Sequence, residues 1–398
     1  MTRRNIPTAY AAAFVKNLQF FGAIAVPFFL DWLKVDYTRM FMLQAWFLFW
    51  VFALEIPTGV VADKFGRKIS VGLGCLCFAV DMLMFGLTRN YPLLFVAEFV
   101  GAIGMTLMSG AEQALLYDSL VALGREDRAR HFFGRYEAAS TLGMLVGFPA
   151  GSYIGTRAAY PTGLPVPFLL TAAAVVVAGV LFLSMREPTR AKPTEGFLAM
   201  GVNGLRTLFV RPALRAYVLN SVTISAVTFF AYWFYQPVCL RAGMSVAHLG
   251  LVAAALNLFA ALLLGQVPRL ERAFGLRRLL LASALAPGLL FLALGVVHRL
   301  AFAVPALLLI VGGKMVRVPI LNDFINRHVE SENRATVISS VSLVERSITF
   351  LLYPVVGILA DRSLDLTLGL LGTLCVTFAL VTRLEDRHLG TEGDPKGH

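Results

Sequence analysis

The sequence predicts an all-α membrane protein of twelve transmembrane helices, and three observations lead there. Apolar residues make up 58% of the chain against 15% charged, with a mean hydropathy of +0.72, far from the roughly 45–50% apolar and 25% charged makeup of soluble domains. The apolar residues fall in runs of the length a bilayer demands, about 20 residues per helix. Lysine and arginine gather in alternate connections between those runs, as they do on the cytoplasmic side of a membrane. Dividing the 398 residues among twelve runs leaves roughly 33 for each span with its loop, so connections are short and no sizeable soluble domain fits.

The first run covers 8–30, lacks a basic-apolar-small cleavage pattern, and is expected to be retained as a span. Turn and charge punctuation places the next five at 38–62, 69–88, 92–120, 133–155 and 165–185. A connector follows from Arg186 to Pro212. It carries Pro188, Pro193 and several charges, then Phe197, Leu198, Val202, Leu205, Leu208 and Phe209 at helical spacing, which predicts an amphipathic linker helix on the membrane surface. Six more runs occupy 213–238, 246–268, 277–297, 300–325, 335–360 and 366–383. The expected organisation is a six-helix bundle over 1–186, a cytoplasmic linker over 187–212, a second six-helix bundle over 213–385, and a cytoplasmic tail over 386–398.

With the N-terminus inside, twenty-four cations fall in cytoplasmic connections and seven outside, while Lys16, Lys314, Arg317 and Arg346 lie within runs. This bias explains the net charge of +11 as orientation; the basic residues form no single patch, so nucleic acid is not an expected partner. Cys75, Cys77, Cys239 and Cys375, the third read as lying in a short connection, lack metal-ligand spacing and imply no disulfide framework. His131, His248, His298 and His328 sit near run ends and read as interfacial. No metal site, cofactor or nucleophile constellation is expected, which argues against an enzyme, and a membrane sensor would need an output domain for which no segment is long enough.

The most informative connection is Gly59-Val60-Val61-Ala62-Asp63-Lys64-Phe65-Gly66-Arg67-Lys68, between runs two and three. Gly59 would permit close helix approach, Gly66 a tight turn, and the Asp63, Arg67 and Lys68 cluster charge-assisted contacts beside helix ends. The segment resembles the G-x-x-x-D-x-x-G-R-[RK] signature of the major facilitator superfamily. A weaker echo, Glu271-Arg272-Ala273-Phe274-Gly275-Leu276-Arg277-Arg278, fills the matching connection of the second half and fits duplicated halves. Glu55-Ile56-Pro57-Thr58-Gly59, Ser109-Gly110, Leu116 to Leu120, Leu321-Asn322 and Arg334-Ala335-Thr336 look like a bacterial drug-exporter branch of that family. The resemblance implies two pseudo-symmetric six-helix halves that rock about a central site in the bacterial inner membrane, with both termini cytoplasmic. It also implies that Asp63 contacts the cytoplasmic start of run eleven, after Asn333 and Arg334, and so biases the gate.

Two family patterns match in part. Gly143-Met144-Leu145-Val146-Gly147-Phe148-Pro149-Ala150-Gly151 is similar to the G-x-x-x-G-P-x-x-G run of drug and proton antiporters with its proline displaced by one position, and close packing of small residues explains it equally well. Run four carries Ala97 and Glu98 where proton-coupled members have an arginine.

Ionisable groups inside a bilayer cost about 2.5–3.5 kcal/mol each on insertion scales and so mark function or pairing. Lys16 and Glu112 share a depth, about 12 Å from the cytoplasmic face at 1.5 Å per residue, and could pair. In the family's fold runs 1, 4, 7 and 10 line the cavity, which makes Lys16, Asn17, Gln113 and Glu112 candidates for its wall. Glu112, then Glu98, then Asp81 are the proton-coupling candidates; Asp81 lies near the depth of Glu98, and if the two were adjacent, their repulsion and burial would make a proton carrier, whereas the peripheral place of run three in the family's fold favours a structural Asp81. In the second half Arg317, Glu345 and Arg346 are charge-pair candidates, with Arg317 and Glu345 expected to neutralise each other and free Lys314 for an anionic or electronegative substrate group. Run seven adds Asn220, Ser221, Thr223, Ser225 and Thr228 deep down, and Phe229, Phe230, Tyr232, Trp233, Phe234 and Tyr235 near the outer end, where an interfacial aromatic belt is expected. With Tyr232, Asn220, Thr223, Lys314 and Arg317 as wall candidates, the cavity would suit an amphiphilic molecule, including one with an anionic group. The expected function is proton-coupled export of amphiphilic organic compounds by a monomer in contact with membrane lipid. The alternatives are a facilitator or importer of an organic anion or lipid-like metabolite, and a non-transporting membrane sensor.

Overall fold

A computed structural model gives the fold for residues 4–157, 159–188, 212–328 and 331–381, with side chains throughout except 212–217, 327–328, 331–336 and 339. The amphipathic linker helix expected over 197–209 and the tail lie outside these described residues. Among them the secondary structure is helical without strands. Among the described residues ten helices or helix pairs are long and apolar enough to cross a membrane. The first and fifth of the twelve segments, residues 5–32 and Ala129–Arg157, complete the set. Outward-facing Leu262, Val296 and Leu351 are among the many apolar side chains left exposed; in lipid that surface is solvated rather than penalised.

The first segment is not one helix. α1 (Asn5–Lys16) stops at Lys16, residues 17–24 run through turns, and helical geometry resumes over 25–32. The cause lies on α6 (Ala129–Arg157), whose Gly143, Gly147 and Gly151 face the backbone of residues 14–20 so closely that a Cβ at Gly147 would sit 2.8 Å from the Gln19 nitrogen. The chain trades helical bonds for contact with a glycine stripe. Helix α2 (Tyr37–Phe65) starts on the Asp36 side chain, which accepts from the Arg39 amide at 2.7 Å. It ends at Gly66, whose φ of +102 suits glycine and turns the chain into α3 (Arg67–Leu87). The fourth segment breaks as well: α4 (Tyr91–Met108) stops at Ser109 and α5 (Ala111–Val121) begins after Gly110, with φ +67. α7 (Val166–Ser184) closes this half.

The second half repeats the plan. α8 (Pro212–Phe229) and α9 (Ala231–Arg241) are split at Phe230, followed by α10 (Leu249–Leu264), the short α11 (Val267–Phe274), α12 (Leu276–Leu294), α13 (Leu300–His328), α14 (Ser331–Arg362) and α15 (Leu364–Val381). Gly275, with φ +77, joins α11 to α12 as Gly66 joins α2 to α3. Packing repeats too: α1 lies on α6 and α7 as α8 lies on α14 and α15, and α3 lies on α4 and α7 as α12 lies on α13 and α15. The fold is therefore the expected duplicated twelve-helix bundle.

The chain divides into two compact units, Met1–Glu195 with Met244–Leu258, and Gly196–Gly243 with Phe259–His398. Residues 244–258 join the first because Ser152 on α6 donates to Ala247 at 2.9 Å and accepts from the Gly250 amide at 3.1 Å. Phe28, Trp32, Phe85 and Phe168 stack at the core of the first unit, with Phe28 and Phe168 centroids 4.0 Å apart. Val222, Leu280, Val316, Ile320 and Val341 belong to the core of the second. Two expectations change here. Phe230, Phe234 and Tyr235 are buried rather than interfacial, because α9 is enclosed by protein, and Cys239 lies in α9, not in a connection.

Candidate functional site

Helix breaks place the polar groups of the first unit. A helix end inside the membrane presents a partial charge, positive at the N-terminus and negative at the C-terminus. Lys16 is the last residue of α1 and Glu112 lies in the first turn of α5, so each charge sits at the end that favours it. They meet: Lys16 Nζ lies 2.7 Å from Glu112 Oε1 and also bonds Oε2. The Tyr136 hydroxyl on α6 donates to the same Oε1. Glu112 is thus a buried carboxylate held by an ammonium and a phenol. Of the neighbouring candidates, Asn17 is buried and donates to the Ala13 carbonyl at 2.9 Å, while Gln113 is exposed.

A second acidic group lies on α3 and α4. Glu98 and Asp81 are both buried, and a Cβ at Gly101, one turn after Glu98, would strike the Asp81 carboxylate. Gln44 on α2 donates to Glu98 Oε1 at 2.9 Å. Asp81 Oδ1 has no hydrogen-bond partner, and no cation bonds either carboxylate among the described residues.

In the signature segment Arg67 forms an ion pair with Asp118 on α5. Glu187, just beyond α7, accepts from the amides of Arg67 at 2.5 Å and Lys68 at 3.1 Å, which satisfies the open N-terminus of α3. Gly66 makes room for it, since a Cβ there would lie 2.9 Å from a Glu187 oxygen. Asp63 is exposed. Among the described residues a Cβ at Gly59 would meet nothing within 4 Å. The side chains of Asn333 and Arg334, where Asp63 was expected to act, lie outside the described residues.

In the second unit the expected pairing of Arg317 with Glu345 is replaced by two separate networks. Arg317 is 2% exposed and donates to Asn220 Oδ1, to Ser221 Oγ at 3.3 Å, and to Ser283 Oγ and the Leu280 carbonyl at 3.1 Å each. Its planar fork is used to tie α13 to α8 and α12. Glu345 bonds Lys314 instead, with Nζ 3.5 Å from Oε1, and accepts from Ser225 Oγ at 2.5 Å. Lys314 Nζ also lies 4.8 Å from the centroid of the Phe229 ring. Lys314 is therefore engaged with Glu345, whereas the expected Arg317–Glu345 pair would have left it for an anion. Arg346 is exposed, Thr223 buried, and Tyr232 half-buried against Phe229.

Sequence reasoning missed Gln44, Tyr136, Glu187, Ser225 and Phe229 as partners. Only Glu187 carried a local signal, an acid directly after the sixth run; the others depend on which helices become neighbours. Among the described residues no group of His, Cys, Asp or Glu could hold a metal, and the four cysteines are free thiols.

The profile of the Major Facilitator Superfamily matches residues 9–352. Multidrug resistance protein 1 of Bacillus subtilis is 28% identical over 129 residues, 32% of this chain and 31% of that protein. The human synaptic vesicular amine transporter is 28% identical over 135 residues, 34% of this chain and 25% of that protein. The matched stretches thus span about a third or less of these relatives' lengths. A bacterial homologue of the human lysosomal transporter Spinster, solved inward-facing and occupied, superimposes with a TM-score of 0.80 over 98% of each chain at 15% identity. The nucleoside transporter NupG does so with a TM-score of 0.78 over 95% of this chain and 98% of its own, at 13% identity.

Proposed function

The chain belongs to the Major Facilitator Superfamily, and from that premise we propose that it is a proton-coupled exporter of amphiphilic organic compounds. It is a transporter, and no bond-making chemistry is required of it. Export is favoured by the likeness to proteins named for multidrug resistance. The observation that carries proton coupling is the buried pair of Glu98 and Asp81. Two carboxylates side by side in a low-dielectric interior repel strongly, and one proton shared between them removes that cost. Glu112 is the weaker carrier, because Lys16 and Tyr136 already answer its charge. On this reading Glu98 and Asp81 come before Glu112, the reverse of the order that depth in the sequence favoured. Glu112 and Lys16 serve instead as a latch across the two helix breaks, and Asp63, Gly66, Arg67 and Lys68 as the cytoplasmic gate.

Purified protein in vesicles under an imposed pH gradient tests this, with internal pyranine reporting protons and a panel of amphiphilic dyes as cargo. Glu98→Gln and Asp81→Asn are expected to lose gradient-driven accumulation while keeping downhill exchange. Full gradient-driven transport by both variants would overturn the proposal. Ala97 and Glu98, where proton-coupled members have an arginine, favour the second reading, a facilitator driven by the substrate gradient alone. In that case no variant would alter pH dependence.

A further inference from the structure

Lys314, Glu345, Ser225 and Phe229 come from three helices, α13, α14 and α8, and converge within the second unit. The two bonds to Glu345 both fall on Oε1, and Oε2 accepts no hydrogen bond among the described residues. Exposure is uneven as well. The Glu345 side chain is 33% exposed and that of Lys314 13%. The ammonium is enclosed between a carboxylate oxygen and the face of a ring, while the carboxylate keeps an oxygen open. The wall beyond is aromatic: Phe229 meets Tyr353 edge-on at 6.4 Å and tilts against Tyr232 at 6.3 Å.

We propose that Glu345, Ser225 and Phe229 form a binding site for the charged head of a hydrophobic organic cation, and that Lys314 is the tethered cation which this head displaces. The forces that hold the ammonium, attraction to a carboxylate and to the negative face of an aromatic ring, act equally on a phosphonium or quaternary ammonium. Such an ion needs no hydrogen-bond donors and gives up less hydration than a primary ammonium does. The flexible four-carbon stem of Lys314 lets its head swing aside without moving α13. Arg317, one turn further along α13, does not compete for the carboxylate, because its fork is bonded to α8 and α12. Arg346, the remaining charge beside Glu345 in sequence, is exposed. An anion would fare badly. It would have to draw Lys314 off Glu345 and then lie beside an uncompensated carboxylate and the electron-rich face of Phe229.

The assignment rests on the transporter reading above for its use but not for its detection, which is equilibrium binding to the full-length protein in nanodiscs. Tetraphenylphosphonium is the probe, and tetraphenylborate, an anion of nearly the same shape, is its control. Wild-type protein is expected to prefer the phosphonium. Glu345→Gln should weaken phosphonium binding about tenfold, the effect of losing one charge contact of this kind, and Glu345→Asp should recover part of it. Lys314→Met should tighten it several-fold by removing the competitor, an outcome that a merely structural ion pair would not give. Tighter borate binding that disappears in Lys314→Met would overturn the site, as would unchanged phosphonium binding in a folded Glu345→Gln protein. Vesicle transport separates the two proposals. Glu345-dependent phosphonium binding without any pH-driven transport leaves the site standing and removes the proton-coupled exporter; pH-driven dye transport without that binding does the reverse.

Discussion

Lys16 and Glu112 answer each other's charge, and the pair shows what that costs. The two side chains are 22% and 10% exposed, so removing one partner leaves a largely buried charge, whereas removing both leaves none. Stranding one partner of a fully buried pair costs about 3–5 kcal/mol, and partial exposure of Lys16 puts this pair at the lower end. Lys16→Met is therefore expected to lower the melting temperature in detergent more than Lys16→Met combined with Glu112→Gln. A double variant less stable than the single would mean that the pair adds net stability. The presence of Lys16 and Glu112 at one depth was legible from residue counting along two apolar runs. Tyr136, the third member, was not, because a tyrosine near the start of an apolar run looks the same whether it faces a headgroup or a carboxylate.

At the scale of elements, breaks matter as much as helices. Hydropathy predicts one continuous first run over 8–30, and the chain instead ends its helix at Lys16, because the glycine stripe on α6 admits the bare backbone of residues 14–20. The stripe that is similar to an antiporter run thus has a packing role in this protein. Gly147→Ala tests it. Its Cβ would press on backbone atoms of Leu18 and Gln19 at 2.8–3.0 Å, which cannot move as a side-chain tip can, and overpacking of this kind typically costs about 1–3 kcal/mol. A clear fall in melting temperature is expected, while Gly59→Ala, inside α2 with nothing within 4 Å of its Cβ among the described residues, should leave stability equal or slightly raised. Equal effects would show that the stripe is not what breaks the first segment. Spacing of glycines in the sequence marked the stripe; the helix it unwinds could not be read there, since its partner lies more than a hundred residues away.

For the whole molecule, the distribution of cations, twenty-four in one set of connections and seven in the other, predicts that the first set faces the cytoplasm. In a cysteine-free background, Lys64→Cys is expected to resist an impermeant maleimide added to intact cells and to react after permeabilisation, whereas Arg299→Cys should react from outside at once. Labelling of Lys64→Cys in intact cells would invert the assignment. Duplication is the other whole-molecule property. It appears in sequence as a faint echo around Gly275, and in structure as several matching helix pairings in the two halves and the same positive-φ glycine turn.

By itself the sequence determined that the chain is a membrane bundle, how many segments it has, which connections carry charge, and which family signature it bears. These are properties of composition and local order, governed by the transfer of side chains between water and lipid, and they do not depend on which helix touches which. Pairing among the buried polar groups was decided only by tertiary structure. Lys314 and Arg317 sit one turn apart on the same helix and look interchangeable in sequence, yet one turns to a carboxylate on α14 and the other to hydroxyls, an amide oxygen and a carbonyl on α8 and α12. Three residues along a helix rotate a side chain by about 60° short of a full turn, and at a junction of three helices that difference selects the neighbour.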